Sequence, residues 1–238
     1  LVSDVPFDVP PEQNLAVRAA AAYQAAARWP LAQGLVLTIA KRIPMGGGLG
    51  GGSADAGAVL RALDALNPHP MGVEALLRVA TPLGADVPFL ATTAPRVVAW
   101  GRGERMLALP ALAGVTVHLA CFATGVNTAH AYGWLAEARA ASSGAPEATV
   151  LDPIALAGFD AVRMRAENAF EPVVAARRDD VRGVLAAWRA RLAGADACVL
   201  LSGSGATVFA AVRGDGHDDA LAEAAVAHGA RHVRTALL

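Results

Sequence analysis

Apolar positions along this chain recur with two different periods, and the switches between them mark out the elements. Residues 14–27 carry Leu15, Ala19, Ala22 and Ala26 on one side of a helix, with Asn14 placed to cap its start. Trp29-Pro30 closes that region, because the residue before a proline avoids the helical conformation. Residues 35–43, LVLTIAKRI, form an apolar run that predicts a strand. Ala56, Val59, Leu60, Leu63 and Leu66 return to helical spacing and predict a helix over 53–66. A proline-punctuated loop, NPHPM, follows, and then Val73, Leu76, Leu77 and Ala80 predict a short helix over 73–81. Residues 97–100 and 106–109 read as two strands of a hairpin, turned by Gly101-Arg102-Gly103-Glu104. Residues 115–123 predict a buried strand, and 125–132 lead into another helix. A long helix is expected over 173–191, lightly broken at Gly183. Strands at 197–201 and 208–212, a helix at 218–228 and an edge strand at 231–235 complete the chain. Strands and helices mix without regular βαβ alternation, which favours an α+β fold. The stretch 110–114 is the candidate boundary between domains of residues 1–112 and 113–238.

Between the strand expected at 35–43 and the helix at 53–66, six glycines fall in seven positions, Gly46, Gly47, Gly48, Gly50, Gly51 and Gly52, interrupted by Leu49. Each glycine costs conformational entropy on ordering, so such a run makes sense where the backbone must turn sharply and approach something closely. Ser53 or Asp55 can cap the helix that follows. A strand, a glycine loop and a capped helix make an anion site, because bare N–H groups and the positive helix end point at one place. A phosphate is the expected occupant. No Lys-Ser or Lys-Thr closes the loop, so it is not a Walker loop. A GxGxxG spacing can be found in it, but Asp64 and Glu74, the nearest acids, sit in helical runs rather than at a strand end. A second small-residue loop, Ser202-Gly203-Ser204-Gly205-Ala206-Thr207, lies between two apolar strands and also offers free N–H groups. Asp86, between Gly-Ala and Val-Pro, either caps a turn or points into a cleft. Thr128 and Tyr132, four apart, share a helix face. His118 reads as a satisfied strand histidine, and Arg177, Arg178, Asp179 and Asp180 as a solvated helix face.

Composition narrows the class. The chain has 238 residues, 55% hydrophobic and 17% charged, enough to bury a substantial core in one or two domains. Its net charge of −1 and the lack of any basic run with interleaved aromatics argue against a nucleic-acid partner. No apolar stretch reaches the roughly 18–20 residues that span a bilayer. The first residues show no basic start and no signal-peptide core, so a cytoplasmic protein is expected. Cys121 and Cys198 lie in apolar strand-like runs and read as buried free thiols. The polar segment 139–149, RAASSGAPEAT, is the expected site of proteolytic nicking.

The run Ile43-Pro44-Met45-Gly46-Gly47-Gly48-Leu49-Gly50-Gly51-Gly52-Ser53-Ala54-Asp55-Ala56 resembles the phosphate-binding motif of the GHMP kinase superfamily, in the form it takes in the kinases of diphosphocytidyl methylerythritol. Other stretches resemble the same family. Gly84-Ala85-Asp86-Val87-Pro88-Phe89 is similar to its catalytic-aspartate segment, Asn168-Ala169-Phe170-Glu171-Pro172 to its Asn-x-Phe/Leu-Glu-Pro, and 202–207 to its third motif, which closes over the first loop and the phosphates. Asn14-Leu15 is similar to the pair that opens a helix near the nucleotide base.

The resemblance implies an α+β, two-domain architecture, with a ribosomal protein S5 domain 2-like first domain and a ferredoxin-like second. It implies ATP and Mg²⁺, with Pro44, Met45, Gly46, Gly47, Gly48, Leu49, Gly50, Gly51, Gly52, Ser53 and Ala54 around the nucleotide and the Ser53 hydroxyl at phosphate or metal. Asp86 is the implied catalytic base. Thr128 and Tyr132 would frame a cytidyl group, and Gly203, Ser204 and Gly205 would close over the substrates. The implied reaction is phosphorylation of the 2-hydroxyl of diphosphocytidyl methylerythritol, in isoprenoid (terpenoid) precursor synthesis, by a monomer or weak homodimer. The family's opening Ala-Lys-x-Asn and Asp-Gly-Tyr-His motifs are not in this chain, whose single lysine, Lys41, belongs to the strand before the loop. The chain therefore reads as truncated at its start. A different small-molecule acceptor, or a non-catalytic nucleotide-binding protein, stays open as an alternative.

Overall fold

The computed structural model describes residues 1–6, 9–29, 34–141 and 151–236. Pro30 and most of the expected nick segment 139–149 lie outside the described residues. The chain forms two compact units, Leu1–Ile43 with Gly50–Pro110, and Pro44–Leu49 with Ala111–Leu238.

The first unit is built on helices. Helix α1 (Leu15–Ala27) packs along α2 (Gly51–Leu66), with α3 (Val73–Ala80) and the short α4 (Val87–Leu90) against them. Ala19, Tyr23, Ala56, Leu60, Leu63, Leu76, Ala80 and Val87 are buried among them, most as the apolar spacing predicts. Ala26, Leu66 and Val73 are exceptions, lying exposed near the end of α1, at the end of α2 and at the first turn of α3. The Asn14 side chain accepts from the Ala16 amide, so it caps α1 as expected. The expected strand at 35–43 shrinks to β2 (Thr38–Ile39), which among the described residues pairs in parallel with β1 (Val2–Ser3) alone. An apolar run lacks the ladder bonds of a strand until a partner of equal length runs beside it. The hairpin forms as expected, β3 (Arg96–Trp100) against β4 (Arg105–Leu109), with Trp100 opposite Arg105.

The second unit is a four-stranded antiparallel sheet covered by helices. Its strands are β5 (Val115–Cys121), β6 (Ala197–Leu201), β7 (Val208–Arg213) and β8 (Arg231–Ala236), in the spatial order β6-β7-β5-β8. Between β5 and β6 run α5 (Thr128–Ala141), α6 (Phe159–Arg165), α7 (Glu171–Ala175) and α8 (Asp179–Arg191), and α9 (Asp218–Ala227) joins β7 to β8. A βαββαβ order with the first and third strands central is the ferredoxin-like arrangement. Strand alternation sets its layers: Val208, Ala210 and Val212 enter the main core with Leu185, Trp188 and Leu221, while Phe209 and Ala211 turn to a smaller cluster around Phe159. The expected helix 173–191 is in fact two, broken at 176–178 rather than at Gly183. Arg178 there has φ −130° and ψ 95°, an extended residue between two helices. Gly183 is instead where α8 lies close to the His228 ring, which a Cβ would strike. Cys121 and Cys198 are free, and burial pushes both thiols up.

Candidate functional site

The glycine loop is shared between the units, and each part has its own scaffold. In the second unit, three consecutive carbonyls of the loop are tied down. Gly46 O accepts from the Val126 amide at 3.2 Å, Gly47 O from the Thr207 amide at 3.1 Å, and Gly48 O from the Ser202 hydroxyl at 2.8 Å. In a trans peptide unit the C=O and the next N–H point in opposite directions. Anchoring these carbonyls therefore turns the amides of Gly47, Gly48 and Leu49 the other way, and no described residue accepts from them. Glycine is needed for this approach. Gly48 has φ 76°, and a Cβ on it would run into the Ser202 carbonyl; a Cβ on Gly125 would run into the Gly46 carbonyl. The expected match between 202–207 and the first loop is thus a direct backbone contact.

The 202–207 loop is itself pinned. The Asn168 side-chain amide donates to the carbonyls of Leu201 and Gly203, both at 2.8 Å, while its oxygen accepts from the Phe170 amide. Glu171 accepts from the Leu201 amide and from Arg189. Thr128, first residue of α5, lies 3.1 Å from Ser204 through the two hydroxyls. Tyr132 is 60% exposed, so it is not core, and it meets the Phe170 ring edge-on at 4.9 Å. The expectation that Arg177–Asp180 is a plain solvated face fails at Arg178. Its side chain is only 19% exposed, forks onto Asp180 at 2.9 and 2.7 Å, and reaches the Thr124 and Gly125 carbonyls. That pairing pushes the Arg178 pKa up and the Asp180 carboxyl down.

In the first unit, α2 starts two residues earlier than the apolar spacing suggests, at Gly51, with Gly50 as N-cap at φ 65°. Neither Ser53 nor Asp55 caps it. Ser53 falls on the third residue, half-buried, and Asp55 holds Lys41 at 2.8 Å in a largely buried ion pair. With no side-chain cap, the first-turn amides of α2 keep their capacity to bind an anion. Asp86 makes no capping bond at the start of α4 and stays exposed. Its Oδ2 lies 3.8 Å from where a Gly50 Cβ would stand, which puts the carboxylate beside the N-cap of α2. Two residues set that distance. Gly57 lets α2 lie against the Leu90 carbonyl, and Arg61 donates to that same carbonyl, so α4 is fastened to α2 just past Asp86. Gly57, Arg61 and Arg178 escape sequence reasoning; a glycine in mid-helix is the one signal that could have pointed to the first.

Several known proteins are similar to this chain. Residues 14–93 match the model of the GHMP kinases N terminal domain. The chain is 37% identical over 227 residues to the 4-diphosphocytidyl-2-C-methyl-D-erythritol kinase of Nitratidesulfovibrio vulgaris strain Hildenborough, covering 94% of this chain and 76% of that protein. It is 39% identical over 232 residues to the kinase of the same name from Deinococcus radiodurans, covering 94% and 70%. A crystal structure of 4-(cytidine 5'-diphospho)-2C-methyl-D-erythritol kinase superposes with a TM-score of 0.70 at 33% identity, over 98% of this chain and 80% of that one.

Proposed function

The chain belongs to the GHMP kinase family, and on that premise we propose that it transfers the γ-phosphoryl group of ATP to the 2-hydroxyl of 4-diphosphocytidyl-2-C-methyl-D-erythritol. The product feeds isoprenoid precursor synthesis by the non-mevalonate route. As a family member the chain is an ATP-dependent small-molecule kinase. The observation that supports the nucleotide role most is the trio of tethered carbonyls at Gly46, Gly47 and Gly48, which leaves the opposing amides free to donate to phosphate oxygens.

Phosphoryl transfer asks for positioning and charge neutralisation rather than covalent help. Residues Pro44 through Ala54 would surround the triphosphate, with the α2 first turn adding its dipole. The acceptor oxygen bonds to the γ-phosphorus as the bond to the ADP oxygen breaks, and the hydroxyl proton passes to the Asp86 carboxylate. The Ser53 hydroxyl is a hard oxygen on the first turn of α2, fitted to be one ligand of a nucleotide-borne Mg²⁺ whose charge would offset that of the phosphates. Thr128 and Tyr132 would frame the cytidyl group, the exposed Tyr132 ring offering a face to a base. Gly203, Ser204 and Gly205 would close over the substrates. Both partners in this reading are soluble small molecules, and the compartment is the cytoplasm.

The test is ADP release coupled to the disappearance of the diphosphocytidyl acceptor. Replacing Asp86 with Asn should lower kcat about 10²–10⁴-fold, the span typical of a lost general base, while ATP affinity holds. Undiminished turnover by Asp86→Asn overturns the assignment of the base. Turnover with another acceptor, and none with this one, overturns the substrate.

A further inference from the structure

We propose that Arg178, oriented by Asp180, is a positioning residue of the nucleotide loop, acting through the Gly125–Val126 peptide. The inference rests on the nucleotide role proposed above for residues 44–54. Arg178 sits in the break between α7 and α8, in extended conformation, and its side chain meets Asp180 in the first turn of α8. Asp180 takes one edge of the guanidinium through Nε and Nη2 in a two-pronged contact. That leaves Nη1 aimed at the carbonyls of Thr124 at 3.2 Å and Gly125 at 3.4 Å. The Phe122 ring backs the guanidinium at 5.7 Å.

The Gly125 carbonyl and the Val126 amide belong to one planar unit and point in opposite directions. Arg178 holds the oxygen end; the amide end donates to Gly46 O at 3.2 Å. The Gly46 oxygen in turn shares a peptide plane with the Gly47 amide, the first of the free donors in the loop. Two rigid planes thus carry the hold of Arg178 to a group proposed to touch phosphate. The approach is tight enough to be sensitive: a Cβ on Gly46 would sit 3.6 Å from the Gly125 Cα, and one on Gly125 would collide with Gly46 O. A lysine could meet Asp180 or the carbonyls, but it lacks the planar fork that does both at once.

The experiment measures ATP affinity by calorimetry, without acceptor, alongside steady-state kinetics for Arg178→Ala, Arg178→Lys and Asp180→Asn, with circular dichroism to confirm folding. The expected result is ATP affinity weakened about tenfold or more in Arg178→Ala, little restored by Arg178→Lys, with the KM for the acceptor unmoved. Asp180→Asn should weaken ATP binding in the same direction and by less. Added guanidinium at millimolar concentration should recover part of the ATP affinity of Arg178→Ala and leave Arg178→Lys unchanged; a purely structural role would show no such rescue. ATP affinity within about twofold of the unaltered protein in folded Arg178→Ala or Asp180→Asn overturns the proposal. Because the titration needs no acceptor, it decides the role of Arg178 even if the assigned acceptor proves wrong.

Discussion

At the residue scale, Gly48 carries the sharpest constraint in the loop. Its φ of 76° costs an L-residue about 1–2 kcal/mol, and any Cβ would run into the Ser202 carbonyl, backbone that cannot swing aside. Gly48→Ala must therefore push apart the two segments that the Ser202–Gly48 hydrogen bond joins. We expect Gly48→Ala to fold, and to lose about 10²-fold or more in kcat/KM for ATP, since a displacement of about 1 Å in a positioning group costs that much. Steady-state kinetics with varied ATP checks it. Gly72 is the contrast: it too has positive φ, 79°, but open space around its Cβ, so only the conformational cost applies there.

At the scale of elements, the segment from Asn168 to Glu171 acts as a clamp at the start of α7. Its two polar side chains take up three backbone groups of 201–203, the carbonyls of Leu201 and Gly203 and the Leu201 amide. Asn168→Ala removes two donors of roughly 1 kcal/mol each. It should lower stability by about 2 kcal/mol and raise the KM for ATP, read by urea denaturation and by kinetics. The elements themselves were largely legible in the chain. The hairpin at 96–109, the strands flanking 202–207, and helices α1 and α9 follow from local periodicity, and the structure places them within a residue or two. What misled was context. The run at 35–43 is apolar enough for a strand but, among the described residues, finds only the two residues of β1 to pair with. Six glycines hid the true start of α2, because two of them join the helix instead of the loop. The break at 176–178 carries no proline or glycine, so nothing local announced it. Arg178 and Arg61 act on carbonyls tens of residues away, at Thr124 and at Leu90, and such pairings leave no periodic trace.

At the scale of the whole molecule, the second unit carries a pair of imidazoles, His118 buried and His232 half-buried, that ties its stability to pH. His118 on β5 and His232 on β8 lie 3.1 Å apart through ring nitrogens, with the rings stacked. Facing them are Asp218, 3.6 Å from His118, and Arg234, bound to that carboxylate. Burial lowers both histidine pKa values; for His118 the charges of His232, Arg234 and His217 add to that, while Asp218 opposes it. The unfolded chain takes up these protons near pH 6.5 and the folded one only lower, so U binds more protons in between. The contribution of this neutral pair to stability is therefore present above about pH 6.5 and is lost as the pH falls below it. Thermal melts at pH 7 and pH 5 should show a drop in midpoint that shrinks in the double variant His118→Phe, His232→Phe; an equal drop in both proteins would refute this.

The tethers on the glycine loop also have a consequence in time. Gly48 emerges from the ribosome 154 residues before Ser202, a lag of about 8–30 s at ~5–20 residues per second. Throughout that interval the nascent chain has its glycines but none of the partners at 202–207 that shape them. The Gly47–Gly48 part of the loop proposed to hold phosphate therefore takes its tethered shape only late in translation.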